Sequence, residues 1–299
     1  MSDPWAEPLR RVRSAARMRS RANHARPQVP IIMGILNVTP DSFSDGGRYT
    51  DQQAALQHAS DMIAAGADII DVGGESTRPG APRLDVAEEQ RRAMPIVREL
   101  IDRGIAVSID TMNSATAQVA VDAGVVLVND VSGGLADTRM ASVIAETGAR
   151  YVAMHWRGPS ATMDANAVYT NVVRDVRDEL RARVDDLLGH GVEPGQIVLD
   201  PGIGFAKNAK QNWEVLGHLR EFETLGYPVL VGASRKSFLR PLMPQDAPTA
   251  DRDRPTAVIS ALAAEAGVWG VRVHDVAGTK AALDVWDAWS FGASGRTPE

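Results

Sequence analysis

Beyond Pro30 the chain alternates short apolar runs with polar, Gly-rich turns and Ala-rich amphipathic stretches. The apolar runs are Ile31–Leu36, Asp68–Val72, Ile105–Ile109, Val125–Val128, Tyr151–Met154, Ile197–Leu199, Pro228–Val231 and Val268–Val273. Their near-continuous hydrophobicity fits parallel strands covered on both faces; a half-exposed antiparallel strand would alternate apolar with polar positions. The stretches between them predict helices over Gln52–Ala65, Asp85–Arg103, Ser114–Ala123, Thr138–Glu146, Asn171–Gly189, Gln211–Leu219, Thr256–Ala266 and Lys280–Trp289. Gly66, Gly104, Gly124 and Gly148 stand where four of these helices would end, the usual place for a left-handed C-terminal residue. Eight such units predict a (β/α)8 TIM barrel in one domain, with a doubly wound open sheet as the competitor.

The polar residues decide between the two. Asn37 follows the first run, Asp71 ends the second and Asp110 the third; Asn129 and Asp130 follow the fourth, His155 the fifth and Asp200 the sixth. Ser234, Arg235 and Lys236 follow the seventh, and Arg272 and His274 close the eighth. A closed barrel brings all eight strand ends to one mouth, where such enzymes place their chemistry, whereas the outer strands of an open sheet would lie too far apart to share a site. The pattern therefore favours the barrel. Trp286 and Trp289, three apart on the last helix, are assigned to the core on their spacing.

Composition narrows the classes. The 299 residues are 44% apolar and 23% charged, as in globular proteins, and no apolar run approaches a bilayer span. There is no Cys, which excludes a disulfide framework, a thiolate zinc site and a Cys nucleophile. With no signal-like apolar core near the start, the expected compartment is the cytoplasm. The net charge of −6 argues against a general nucleic-acid binder, but it is uneven. Residues 1–26 carry seven Arg against Asp3 and Glu7, a net of +5, which leaves −11 on the rest. Residues 1–26 are accordingly expected to be a disordered basic tail, with RNA or membrane contact as the minor alternative, and residues 27–299 to be the barrel domain.

Several familiar sites are absent from the sequence. Gly202–Lys207 lacks the third Gly of a dinucleotide fingerprint; no P-loop and no GxSxG elbow occurs, and no two of the six His stand as HxxxH. What remains are two groups of opposite chemistry. Arg272 and His274 share one side of a strand, Arg235 and Lys236 lie on the neighbouring loop, and Arg78 lies on the second loop. Cations gathered there suit a phosphate or another anion; the alternative is solvated surface charge. Lys236 is one of only four lysines, so it is not one of many interchangeable ones. Asp110, Asn129 and Asp200 are suited to a heterocycle presenting N–H and amino donors, although any one of them could instead cap a helix. The polar, Gly-rich segments Asn37–Gly47 and Gly73–Gly80 read as mobile lids, or as ordinary connections.

The segments MGILNVTPDSFSDGG (Met33–Gly47), DIIDVGGESTRPGA (Asp68–Ala81), SIDT (Ser108–Thr111), NDVSGG (Asn129–Gly134), MHWRG (Met154–Gly158), LDPGIGFAK (Leu199–Lys207), GASRKSF (Gly232–Phe238) and RVHDV (Arg272–Val276) closely resemble the dihydropteroate synthase family of pterin-binding enzymes. The resemblance runs in order through all eight units, over about residues 30–290. It implies a Mg²⁺-dependent transferase of folate biosynthesis. Such an enzyme joins 6-hydroxymethyl-7,8-dihydropterin diphosphate to 4-aminobenzoate, is homodimeric and cytoplasmic, and is the target of sulfonamides. Carried onto this chain, the family pattern gives Asp110, Asn129, Asp200 and Lys236 to the pterin. Asn37, Thr77, Arg78, Arg272 and His274 go to the diphosphate, with Asn37 also at the metal. Phe43, Pro79, Phe205 and Ser237 go to the aminobenzoate, Ser237 with a helix N-terminus facing the carboxylate. The implied chemistry is SN1-like. Charge on the leaving diphosphate is neutralised by Mg²⁺, Arg272 and His274, and a pterin cation forms near Asp110 and Asp45. Ala206 departs from the family, standing where many members have Gly. A corrinoid-dependent methyltetrahydrofolate methyltransferase and a non-catalytic pterin-binding paralogue are the rival readings. The two intact Gly-rich loops speak against both, and RVHDV against the first.

Overall fold

Apolar residues fill both faces of the strands, and the alternation of side chains sends each face to a different core. The computed structural model describes residues 28–38, 48–75, 84–159, 163 and 165–293. Its elements run β1 (Ile31–Asn37), α1 (Arg48–Ala64), β2 (Ile69–Gly73), α2 (Val86–Asp102), β3 (Val107–Asp110), α3 (Ser114–Ala123), β4 (Leu127–Asp130), α4 (Met140–Thr147), β5 (Arg150–Met154) and α5 (Val172–Gly189). There follow β6 (Ile197–Asp200), α6 (Ala209–Gly217), the single turn α7 (Arg220–Glu223), β7 (Leu230–Val231), α8 (Asp253–Glu265), β8 (Gly270–Val273) and α9 (Val276–Ala293). All the strand pairs are parallel, in the order β6-β5-β4-β3-β2-β1-β8-β7. The remaining gap closes through a parallel bridge between Leu199 and Val229 and a 2.8 Å bond from the Leu199 N–H to the Pro228 carbonyl. The fold is a TIM barrel, as the strand-end pattern requires.

Ile31, Met33, Ile69, Ala106, Leu127, Val152, Val198 and Leu230 form an apolar plug inside the barrel. The alternate positions, among them Ile32, Ile70, Val107, Val128, Ile197 and Val271, pack outward under the helices. Two residues along each strand, the inward parity of the plug reaches Asp71, Ser108, Asn129 and Asp200, and two further along β3 it reaches Asp110. The mouth is polar because these strands, β2, β3, β4 and β6, change chemistry on their inward faces, not because the chain leaves the sheet.

Boundaries differ from the sequence pattern for local reasons. Asp85 and Asn171, read as helical, are N-caps whose side chains accept from the Glu88 and Arg174 N–H groups at 2.9 Å. Gln211, read as the start of a helix, is the third residue of α6, where it completes a capping box with Asn208. Asp68 lies before β2, its carboxylate accepting the Ile32 N–H at 2.8 Å. β7 shrinks to Leu230–Val231, two residues beyond Pro228, which has no N–H to offer the ladder. α8 and α9 begin earlier than the pattern indicates, and α9 also runs past Trp289 to Ala293. The core assignment holds for Trp286, which is 7% exposed and donates to Glu265, but not for Trp289, which is 78% exposed. Residues 1–26, expected as a tail, lie outside the described residues.

Candidate active site

Register places three predicted residues in neighbouring strands. Asn37 of β1 pairs with Gly73 of β2, Gly73 with Asp110 of β3, and Asp110 with Asn129 of β4. Gly73 leaves a gap in this row. A Cβ there would lie 3.6 Å from the Asp110 Oδ2 and 3.7 Å from the Asn37 Oδ1, so the two oxygens flank one space. Gly232 opens a second space beside Asp200 and Arg272, whose nearest atoms would be 3.5 and 4.0 Å from an added Cβ.

The cations and carboxylates, separate groups in the sequence, are joined here. Arg272 donates through Nε to Asp71 at 2.6 Å and through Nη2 to Asp110 at 2.7 Å. The same Asp71 oxygen accepts from the Asn129 amide at 2.9 Å, which leaves the Asn129 carbonyl oxygen as the end presented elsewhere. Asp71 is fully buried, one layer below the mouth, and its Oδ1 has no hydrogen-bond partner among the described residues. Burial pushes the Asp110 carboxyl up to about 7; Arg272 pulls against this rise and the nearby Asp71 adds to it. Asp200 is raised for the same reason, burial, although its Oδ1 accepts the Gly202 N–H at 2.7 Å.

Lys236 reaches across to the loop after β6. Its Nζ donates to the Ile203 carbonyl at 2.5 Å and lies 3.9 Å over the centre of the Phe205 ring. Burial lowers it to about 7, with Asp200 opposing. His274 engages Ser234 twice, through a 2.9 Å contact between Nδ1 and the Ser234 Oγ and a 3.1 Å bond from its own N–H. Ser237 is exposed at the start of a six-residue 3₁₀ turn, Ser237–Leu242, and not at a full α-helix; Pro241 lies within this turn, and α8 begins only at Asp253. Arg235, grouped with the anion-binding cations on sequence, instead forks onto Asp253 at 2.7 Å on both arms. Phe43, Asp45, Thr77, Arg78 and Pro79 lie outside the described residues.

Residues that the sequence left without a role hold the loop after β6. Lys207 is buried, and its ammonium donates to the His155 Nδ1 at 3.0 Å, the Gly202 carbonyl at 3.0 Å and the Phe205 carbonyl at 3.2 Å. An ammonium has no lone pair to offer, so His155 Nδ1 is the acceptor and its Nε2–H donates to Glu179 at 2.9 Å. Burial lowers Lys207 to about 7 and, with Lys207 beside it, lowers His155 to about 4. Ala206 adopts φ +45°, a left-handed conformation that glycine enters without strain. That accounts for the Gly expected there by resemblance.

The profile of the pterin binding enzyme family matches residues 33–274, and the chain belongs to that family. Within it, a dihydropteroate synthase from Mycobacterium leprae is 52% identical over 263 residues, 86% of this chain and 93% of that one. The Xanthomonas albilineans dihydropteroate synthase solved with 4-aminobenzoic acid is 37% identical with a TM-score of 0.81, covering 90% of this chain and 94% of that one. The same organism's enzyme in complex with 7,8-dihydropteroate is 34% identical with a TM-score of 0.79, covering 92% and 97%.

Proposed function

We propose that this protein acts as a dihydropteroate synthase, a transferase that condenses 6-hydroxymethyl-7,8-dihydropterin diphosphate with 4-aminobenzoate to 7,8-dihydropteroate and diphosphate. The observation that carries this reading is the mouth itself. A row of hydrogen-bonding groups (Asn37, Asp110, Asn129) faces Asp200 and Lys236 around two glycine-lined gaps, with Arg272 clamped between buried carboxylates. Acceptor oxygens on Asp110, Asn129 and Asp200 suit the ring N–H and amino donors of a pterin, and Lys236 lies against its ring. Arg272 has five N–H donors and directs two bonds at Asp71 and Asp110, so the others remain for the diphosphate beside His274. Phe205 and Ser237 frame the aminobenzoate, a role the family resemblance also gives to Phe43 and Pro79, as it gives Thr77 and Arg78 to the diphosphate.

The bond from the pterin methylene to the diphosphate oxygen breaks, and the departing oxygen keeps the electron pair. The cation left on the pterin is spread over its ring near Asp110, and the family resemblance gives Asp45 the same role. The aminobenzoate nitrogen then forms the new C–N bond and passes one proton to the released diphosphate or to water. Arg272 and His274 hold the charge that grows on the leaving group, and loop closure excludes the water that would otherwise capture the cation. Among the described residues no group of three His, Cys, Asp or Glu is placed to hold a metal. The Asn37 oxygen beside Gly73 nevertheless fits a Mg²⁺ bound chiefly by substrate phosphates and water. Bound there at Asn37, it would help neutralise the leaving diphosphate. Purified protein with both substrates and Mg²⁺ should release diphosphate and dihydropteroate, and a sulfonamide should compete with aminobenzoate. Absence of both products from folded protein would overturn the reading.

A second copy of the chain is the partner this reading implies. Val258 and Leu262 on α8, and Val285 and Trp289 on α9, are 59, 65, 69 and 78% exposed, each pair at helical i, i+4 spacing on two helices that pack together. Light scattering should give about twice the 32.1 kDa chain mass, and Leu262→Asp should halve it; a monomer in the wild type would remove the dimer. No described helix is long and apolar enough to cross a membrane. With no Cys to call for an oxidising compartment, the reading places the protein in the cytoplasm.

A further inference from the structure

Arg235 adopts a left-handed backbone, φ +57°, which glycine takes freely and an arginine does not. The first turn of α8 and the residue before it hold it there. Its guanidinium forks onto both oxygens of Asp253, Nε to Oδ1 and Nη2 to Oδ2, each at 2.7 Å. Its carbonyl accepts from the Arg252 Nη1 at 3.0 Å, and its N–H donates to the Thr256 Oγ1 at 3.3 Å. That hydroxyl donates in turn to the Arg252 carbonyl at 2.7 Å.

The residues on either side point to the chemistry. Ser234 engages His274, and Lys236 engages Ile203 and the Phe205 ring. The left-handed turn at Arg235 thus delivers two neighbouring side chains to the mouth while its own goes out to α8. A bidentate Arg–carboxylate pair is directional, and it holds a backbone as well as balancing a charge.

We infer that Arg235 is a positioning residue for the reaction: its ion pair with Asp253 holds the turn that aims Ser234 and Lys236 into the mouth, and Arg235 does not bind the diphosphate. The inference rests on the proposed synthase activity, through the roles given there to Lys236 and His274. It predicts that the loop loses its aim when either half of the pair is removed, and loses nothing more when both are.

The experiment is a double-mutant cycle with Arg235→Gln, Asp253→Asn and the pair together, run where circular dichroism shows all four proteins folded. Each single change should lower kcat about tenfold with a smaller effect on the KM for the pterin diphosphate, and the double change should do no more than one of them. Amide hydrogen exchange across Ser234–Phe238 should quicken by a similar factor in Asp253→Asn. This second readout needs no turnover, so it decides the matter even if the wild type makes no dihydropteroate, a result that would count against the functional reading alone. Asp253→Asn, a near-isosteric change, still gives a result if Arg235→Gln fails to fold. If Asp253→Asn behaves as wild type in exchange and turnover while Arg235→Gln raises the KM for the pterin diphosphate, Arg235 is an anion ligand and the inference fails. Additive losses would overturn it too.

Discussion

Arg272→Ala should cost about 3–5 kcal/mol of stability at pH 8, with a distinctly smaller loss at pH 5. The guanidinium lies 2.6 Å from Asp71 and 2.7 Å from Asp110, both buried, so its removal strands two carboxylates away from water. The pH dependence follows from Asp110. Its carboxyl is already pushed up to about 7, and losing Arg272 raises it further. A group raised on folding contributes stability that is fully present below its unfolded value, near 3.8, and is lost as pH rises through the folded value. In the variant a protonated Asp110 relieves much of the damage in acid, so the gap to wild type widens between pH 5 and pH 8. Turnover should fall about tenfold to hundredfold at saturating aminobenzoate, on the scale of one charged hydrogen bond to the diphosphate. Arg272→Lys should regain part of the stability and little of the turnover, because a point charge cannot fork between two carboxylates. Urea unfolding at the two pH values checks the first claim; an equal deficit at both would mean that Arg272 does not hold the Asp110 charge.

Arg272 also marks how far the sequence reaches. The barrel is legible because each strand is an apolar run with a polar end, and that pattern is set by burial within single elements. The same rule singles out Asp110, Asn129 and Asp200, each a polar residue where the run should still be inward-facing. Partnerships are another matter. Arg272 bonds Asp71 across 201 positions and Asp110 across 162, and no local period records such pairs. Asp71 is visible as a polar residue near a strand end, but only the fold places it beneath the site as the joint support of Arg272 and Asn129. Arg235 is the converse. Its position beside Lys236 groups it with the anion-binding cations, and only the helix 18 positions later, with Asp253, takes it out of that group. Lys207 could have been noticed on the argument applied to Lys236, the scarcity of lysine, but its purpose depends on His155, 52 positions back.

The wild type and His155→Gln should converge in stability as pH falls. His155 is buried as a neutral imidazole, its Nδ1 accepting from Lys207 and its Nε2–H donating to Glu179. Burial and the Lys207 charge lower it from 6.5 to about 4. A group depressed on folding contributes stability that is present above the unfolded value and is lost as pH falls through the folded one, so the window runs from about 6.5 down to about 4. By pH 4.5 that loss amounts to about 2–3 kcal/mol, since each tenfold change in proton affinity is worth about 1.4 kcal/mol. The side-chain amide of the substituted glutamine can accept from Lys207 and donate to Glu179, but it takes up no proton, so this share of the acid loss disappears in the variant. Lys207, lowered to about 7, titrates at the upper edge of the window in both proteins, and Glu179, lowered to about 2, loses its contribution only below 4.5. The buried carboxyls Asp110, Asp130 and Asp200, all raised, titrate alike in both proteins. Urea unfolding of each protein at pH 7 and pH 4.5 should therefore show the wild type's advantage shrinking by about 2–3 kcal/mol. A constant gap would mean that His155 is not the neutral acceptor of Lys207. Protonated His155 would place a second positive charge 3.0 Å from the ammonium that holds the Gly202 and Phe205 carbonyls. The same acid step should accordingly loosen the loop that carries Phe205, and raise the KM for aminobenzoate in the wild type more than in the variant.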